Sequence, residues 1–244
     1  MMEEKKINSL IISGMGNYGG GEFDRVNISG SGKITGAIKC DVLDVSGSAK
    51  LEEDIMCNRA HVSGNCKVGK NMNAEEIVIT GSYKQEGSIT SESVEVSGMV
   101  KIKQCLNATK LYSTGMLTVE GDINGEEIKN EGMVNCNGLI NCEHLEVLCI
   151  GGCKLNEVGA ATISVKEQPW NINKLIGLFV PKLTRLSANV MEGDDIYLES
   201  SDVKVIRGRN IKLGKACHID TIEYSGTFEK DETSTVTNLV KVEG

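Results

Sequence analysis

Seven glycines recur at intervals of seventeen residues through the first half of the chain. The seven are Gly30, Gly47, Gly64, Gly81, Gly98, Gly115 and Gly132. Serine or threonine precedes each of the first six. A fixed repeat of this length is typical of proteins that stack one structural unit on the next. The repeat therefore predicts a solenoid, in which each unit contacts chiefly its neighbours.

Six further positions in each repeat are apolar: four and two residues before the glycine, and two, four, eight and ten after it. Across the seven repeats, 36 of these 42 positions carry a hydrophobic residue. At the positions three and one before the glycine and three after it, only 2 of 21 do. The apolar positions form three i, i+2 pairs, which is the alternation of β-strands.

Three short strands per repeat predict a triangular coil. Glycines and small polar residues fall at its corners, where a sharp turn often needs positive φ. One coil cannot bury its own inward face, so successive coils should stack about 4.8 Å apart. The predicted fold is all-β: a right-handed parallel β-helix with coils of about 17 residues. The alternative, a left-handed hexapeptide helix, repeats at eighteen residues and places its inward side chains six apart.

The residue pattern divides the chain into five parts. They are a flexible N-terminal lead-in with a capping strand (1–22), the β-helix (23–165), an apolar and basic interruption with a short helix (166–190), further β coils (191–228) and a polar C-terminal tail (229–244).

Composition restricts the function further. The net charge is −8 and the pI is about 5.1, which argues against nucleic-acid partners. The charged N-terminus lacks the apolar core of a secretory signal, and no apolar run is long enough to span a membrane. We therefore predict a cytoplasmic protein, with an alternative location on the inner face of the membrane.

Nine cysteines, an odd number, fit a reducing compartment. Two interpretations are open for the cluster of Cys136, Cys142, Cys149, Cys153 and His144: a zinc site or plain core packing. Because the spacing contains no C-x-x-C pair and free cysteine packs as a small hydrophobe, core packing is favoured. No metal or cofactor is predicted.

A lysine stands three residues after each of the first five glycines, and we call this set the lysine ladder: Lys33, Lys50, Lys67, Lys84 and Lys101. On a β-helix the five side chains stack into one outward ridge. One interpretation is a basic surface for an anionic partner, such as acidic lipid or an anionic polymer. The favoured alternative is a solvated strand face that keeps the sheet from pairing sideways.

A second candidate surface lies in the interruption at 166–190. This segment carries the only tryptophan and both prolines, and it contains no acid between Glu167 and Glu192. An amphipathic element on a membrane or partner is one interpretation, and an excursion packed on the rod is the other. Its candidate contact residues are Trp170, Lys174, Leu175, Leu178, Phe179, Lys182 and Arg185.

No catalytic pattern accompanies these surfaces. None of the three histidines stands beside an evident nucleophile or metal ligand, and no phosphate-binding glycine loop opens a βαβ unit. Coils of seventeen residues leave no long loops before residue 166 to build a cleft. We predict that the protein is not an enzyme, with a hexapeptide-type acyltransferase as a distant alternative.

The run Val45-Ser46-Gly47-Ser48-Ala49-Lys50-Leu51 and its relatives resembles the bactofilin family of bacterial cytoskeletal proteins. The stretch from Met191 to Glu199, with Ile206-Arg207-Gly208 and Ile222-Glu223-Tyr224, is similar to a longer bactofilin-like subgroup of Gram-positive bacteria. The resemblance implies a right-handed β-helix that polymerises without nucleotide into filaments. It also implies a location near the membrane, in support of cell shape, envelope or motility structures.

The function predicted from these observations is a structural, self-assembling scaffold. Its expected partners are further copies of itself, with the membrane surface or envelope and motility proteins as additional candidates. The alternative is a capped, monomeric or small-oligomer β-helical adaptor. Self-association distinguishes the two.

Overall fold

The structure is a computed structural model that describes residues 8–167 and 185–243. Within these residues the chain forms 23 β-strands and no helix. Strands of one coil pair in parallel with the equivalent strands of the next coil. The predicted all-β parallel solenoid is therefore confirmed, with about 13 turns. Its right-handed sense stays a prediction.

The strands have at most eight residues, except for β17 to β20, which have 13 to 17. They are β1 (Ser9–Ile12), β2 (Met15–Tyr18), β3 (Gly21–Ile28), β4 (Ser31–Ile34), β5 (Ile38–Val45), β6 (Ser48–Leu51), β7 (Ile55–Val62), β8 (Asn65–Val68), β9 (Met72–Ile79), β10 (Ser82–Gln85), β11 (Ile89–Val96), β12 (Met99–Ile102), β13 (Leu106–Ser113), β14 (Met116–Val119), β15 (Ile123–Asn124), β16 (Glu127–Asn130), β17 (Met133–Cys149), β18 (Cys153–Glu167), β19 (Leu186–Leu198), β20 (Ser201–Leu213), β21 (His218–Tyr224), β22 (Phe228–Lys230) and β23 (Thr235–Lys241).

The inward columns are those that the repeat predicts. In β5 and β6 the buried side chains are Ile38, Cys40, Leu43, Val45, Ala49 and Leu51, three pairs on three sides of the coil. Four of the six positions that break the apolar pattern carry polar residues: Gln85, Ser91, Ser113 and Asn130. All four are still buried. The column position, more than the residue type, decides which side chains point inward.

The register between coils changes along the rod. Partners lie 16 residues apart in the first coil and 17 apart through most of the N-terminal coils. Between β17 and β18 the offset falls from 19 to 18, with an irregularity between Cys136 and Leu139. It is 33 between β18 and β19, which are separated in sequence by residues 168–184, and 15 between β19 and β20.

The repeated glycines are required for a reason that differs from the prediction. None of the seven has positive φ; among the described residues only Gly21, Ser200 and Ala216 do. Instead, a Cβ added at any of the seven would lie well inside van der Waals contact of the carbonyl oxygen of the corner glycine one coil earlier. At Gly47 the close approach is held by its N–H, which donates to the Ile28 carbonyl oxygen at 2.9 Å.

Three predicted boundaries need correction. β1 and β2 belong to the stack, so residues 9–22 form a coil and are not a flexible lead-in, while residues 1–7 of the predicted lead-in lie outside the described residues. β18 extends to Glu167 and β19 begins at Leu186, so both ends of the predicted interruption at 166–190 belong to strands. Residues 168–184, where a short helix was expected, lie outside the described residues. The tail at 229–244 contains the end of β22 and all of β23, which complete the last coil.

Candidate functional site: side ladders and rod ends

The lysine ladder is continuous along one side of the rod. Each lysine lies between two inward residues on β4, β6, β8, β10 or β12, so its side chain points outward. All five are paired in register, and Thr118 and Asn135 continue the column. The predicted ridge therefore exists as a geometric feature.

Glutamates at the adjacent corner neutralise much of this ridge. Glu52 forms ion pairs with Lys33 and Lys50, whose Nζ atoms lie 3.0 and 2.8 Å from its Oε1. Glu86 takes three, from Lys67 at 3.1 Å, Lys84 at 3.3 Å and Lys103 at 2.6 Å. Glu120 pairs with Lys101 at 2.7 Å.

These contacts favour the charged carboxylates. Hydrogen bonds from Lys103 and Lys67 lower the pKa of Glu86 to about 2, and lysine contacts also lower the pKa of Glu52 and Glu120. Six lysines share three glutamates, so the surface is a compensated lattice with a modest positive excess. The geometry supports the interpretation of a solvated, charge-paired strand face over that of a dedicated anion-binding ridge.

Most of the second candidate surface, in the segment at 166–190, lies outside the described residues. Trp170, Lys174, Leu175, Leu178, Phe179 and Lys182 lie outside the described residues. Arg185 is described, and it packs back onto the rod: its Nε donates to Asp202 Oδ2 at 2.9 Å, and its Nη2 donates to the Ala216 carbonyl oxygen at 3.0 Å. The Asp202 carboxylate further raises the pKa of this guanidinium. Arg185 is therefore a structural anchor rather than the partner-facing cation that we predicted.

Sequence reasoning missed the mixed polar columns of the C-terminal coils. Glu192, Arg207 and Glu223 stack in one column, and Arg207 bonds both carboxylates at 2.6 and 2.9 Å. In a second column, Asn210 Nδ2 donates to Asp195 Oδ1 at 2.8 Å. Because these coils repeat at 15 to 17 residues, the strict seventeen-residue alignment could not reveal them.

The cysteines belong to the core. All nine are free, and eight are buried. Burial raises the pKa of the Cys66 thiol to about 12 and that of Cys136 to about 11, so both stay protonated near neutral pH. Among the described residues, no cluster of histidine, cysteine and acidic side chains has the arrangement of a metal site.

The three histidines lie on the outer surface and are separated from one another along the rod. His144 Nδ1 lies 2.6 Å from Thr162 Oγ1, and His218 Nδ1 lies 3.0 Å from Asp202 Oδ1. His61 lies between Asp44 and Val78 in its column. These contacts are those of surface ladders: His144 meets the hydroxyl of the residue stacked on it, and His218 meets the carboxylate of the residue beneath it.

The two ends of the rod leave strand edges unpaired. Within the described residues β1 pairs with β3 alone and β2 with β4 alone. At the other end β22 pairs with β20 alone, and β23 with β21 alone. Unpaired parallel edges present backbone N–H and C=O groups that can pair with another chain.

The C-terminal end also exposes part of the core. Leu239 continues an inward column through Ile222 and Ile206, which are fully buried, yet Leu239 is 48% exposed because no described strand packs on its outer side. Nearby, the rings of Tyr224 and Phe228 pack with centroids 5.7 Å apart. At this end an inward, apolar column is therefore partly exposed to solvent.

Side chains partly cover both ends. At the N-terminal end the ring of Tyr18 lies across Gly16, and Ile12 is only 1% exposed. At the C-terminal end Lys230 occupies an inward column, and its Nζ donates to the Ser234 carbonyl oxygen at 3.0 Å. The ends therefore combine open strand edges with partial caps.

The structure has no helix in the described residues with the length and hydropathy needed to cross a membrane.

Comparison with known proteins gives two relatives. An 88-residue stretch is 35% identical to Uncharacterized protein YhbF of Bacillus subtilis (strain 168), covering 36% of this chain and 34% of YhbF. A 57-residue stretch is 37% identical to Uncharacterized protein YhbE of the same organism, covering 23% of this chain and 24% of YhbE. The matches thus span about a third of YhbF and about a quarter of YhbE. No family model and no solved structure matches the chain.

Proposed function

We propose that this protein is a structural scaffold that assembles end to end into nucleotide-independent filaments, as its resemblance to bactofilins implies. The observation that carries the proposal is the open C-terminal end, where an inward column stops at the half-exposed Leu239 beside the unpaired edge of β23. A second copy stacked there would continue both the core and the parallel ladders. Burying the rest of Leu239 alone contributes about 1 kcal/mol.

The side surfaces support the same function. Their charges are paired within the rod, as at Glu52 and Glu86, and charged side chains discourage sheets from associating sideways. A rod whose side charges are paired and whose end strands have unpaired edges favours linear assembly. The proposal includes no catalytic step, and its cellular setting is the cytoplasm or the inner face of the membrane.

Negative-stain electron microscopy with high-speed pelleting tests the proposal on the full-length protein at physiological salt. Leu239→Lys places a charge on the exposed core end, and Met99→Lys is its matched control on the exposed side of the rod. We expect narrow filaments and a pellet from wild type and Met99→Lys, and dispersed particles from Leu239→Lys. Dispersed wild-type particles at every concentration, or equal effects of both substitutions, would contradict end-to-end assembly.

A second function is favoured by the partial caps. Tyr18 across Gly16 and Lys230 across the other end are the features of a rod that stays monomeric and acts as an adaptor. Removing the caps separates the two proposals. If Lys230→Leu alone converts a dispersed protein into filaments, the native chain is the capped adaptor.

A membrane role for segment 166–190 is tested separately. Flotation of the full-length chain with vesicles containing anionic lipid is compared with that of a chain lacking 168–184. Loss of flotation in the deletion supports membrane association, and equal flotation, or none, contradicts it.

A further inference from the structure

Two polar side chains interrupt an apolar inward column on neighbouring coils. Ser113 and Asn130 are paired in register, and the same column carries Val96 on the coil before and Val147 on the coil after. Both polar residues are buried, with exposures of 0% and 2%. Valine at this position in adjacent coils shows that the backbone does not require a polar residue there.

The hydrogen bonding of this pair is incomplete. Asn130 Nδ2 donates to the Gly132 carbonyl oxygen at 2.9 Å. Ser113 Oγ and Asn130 Oδ1, however, have no hydrogen-bond partner among the described residues. Buried polar atoms in folded proteins are nearly always bonded, and ordered water is the usual partner where protein groups are not.

Both side chains line one small cavity between the coils. Its volume is about 10 Å³, close to what one water molecule requires, and its other walls include Leu111, Ile123 and Leu145. No carboxylate lines it, so the site lacks the charge that would hold a cation. The ammonium of Lys129 is not available to the cavity, since it lies 2.9 Å from Glu131 Oε1 on the surface.

We propose that this cavity binds one ordered water molecule that bridges the two coils. The water accepts a hydrogen bond from Ser113 Oγ and donates one to Asn130 Oδ1, which satisfies both atoms. This is a structural water in the core of the rod, independent of whether the rods assemble. It lies one coil before the point where the seventeen-residue register slips.

A high-resolution crystal structure of the full-length protein tests the site directly. We expect a density peak within 2.6–3.2 Å of both Ser113 Oγ and Asn130 Oδ1. An empty cavity, or a Ser113 hydroxyl that donates to a protein carbonyl group with no peak between the coils, would overturn the proposal.

Thermal unfolding supplies a second readout. The double variant Ser113→Val with Asn130→Val makes the column uniformly apolar and removes both groups that hold the water, so we expect its midpoint to rise. Ser91→Ala is the matched control, because the Ser91 hydroxyl is already placed 2.9 Å from the Glu75 and Ser93 carbonyl oxygens. Its midpoint should fall. A double variant that unfolds earlier than wild type, to the same extent as Ser91→Ala, would show that the pair is satisfied within the protein.

Discussion

The regular half of the rod (residues 23–149) and its relaxed half (residues 185–241) solve the same stacking problem differently. In the regular half two columns each repeat one residue type: lysine stacks on lysine along the lysine ladder, and glycine stacks on glycine at the corner. In the relaxed half, a column alternates its charges, as in Glu192–Arg207–Glu223. The lysine ladder is therefore compensated sideways, through the corner glutamates, whereas the Glu192–Arg207–Glu223 column is compensated along its own length.

The corners differ in the same way. The regular half turns at glycines because the backbone of the neighbouring coil leaves no room for a Cβ, and none of these glycines has positive φ. The relaxed half places Ser200 and Ala216 at corners with φ of 45° and 57°, a region that costs L-residues about 1–2 kcal/mol. A regular stack uses glycine for space, and the relaxed stack tolerates strain where it has no glycine.

The largest expected effect comes from a glycine of the regular half. Gly81→Ala puts a Cβ against the Gly64 carbonyl oxygen, and we expect it to lower the free energy of unfolding by about 3 kcal/mol, at the upper end for overpacking. Gly159→Ala is the matched control, since its added Cβ meets no atom within 4 Å. It should be neutral or stabilising by up to about 1 kcal/mol. Chemical denaturation of both variants measures the contrast, and equal losses would refute the close-approach argument.

Two tyrosines sharpen the comparison. Tyr83 is buried and its hydroxyl donates to Gln85 Oε1 at 2.5 Å. Tyr83→Phe strands that buried amide oxygen and should cost about 1–3 kcal/mol in unfolding free energy. Tyr197→Phe removes a bond to Glu199 on the surface of the relaxed half and should change stability by less than about 0.5 kcal/mol. If the two losses were alike, burial would not be the deciding factor.

Ala216→Gly should act in the opposite direction from Gly81→Ala. Glycine relieves the left-handed strain but loses more backbone entropy, so we expect a net gain of about 0.5 kcal/mol. Ala188→Gly, at a buried inward position of the same half, should destabilise. Thermal melts of the pair provide the measurement. A loss at both positions would mean that Ala216 is not strained.

The smallest expected effect is electrostatic and depends on pH. The pKa of Glu86 is lowered from 4.5 to about 2, so its contribution to stability is complete above about pH 4.5 and is lost as the pH falls towards 2. Glu86→Gln should therefore lower the thermal midpoint slightly at pH 7, and this deficit should be much smaller at pH 2, where Glu86 is about half protonated. Glu92→Gln, at a carboxylate with no ion pair among the described residues, should have no effect at pH 7. A Glu86→Gln deficit that is as large at pH 2 as at pH 7 would contradict the charge-paired ladder.

Much of the regular half was predictable because one residue pattern repeats seven times. The inward columns, the lysine ladder and the buried cysteines all follow from the spacing around the glycines. The glutamate partners of the ladder were not foreseen, because their column also contains Gly69 and Lys103 and shows no pattern. The coil that contains β1 and β2 was not predicted because it is sixteen residues long and glycine-rich. Arg185 was misassigned because its partners, Asp202 and His218, are brought close only by stacking.

X-ray fibre diffraction from aligned assemblies of the full-length protein tests the central claim most directly. Rods joined end to end place every strand across the filament axis, so the account predicts a meridional reflection near 4.8 Å. It also predicts an axial subunit spacing of about 60 Å, the length of about 13 stacked coils. A 4.8 Å reflection on the equator would show that the rods assemble side by side. That result, or a protein that never forms assemblies to align, would contradict the account.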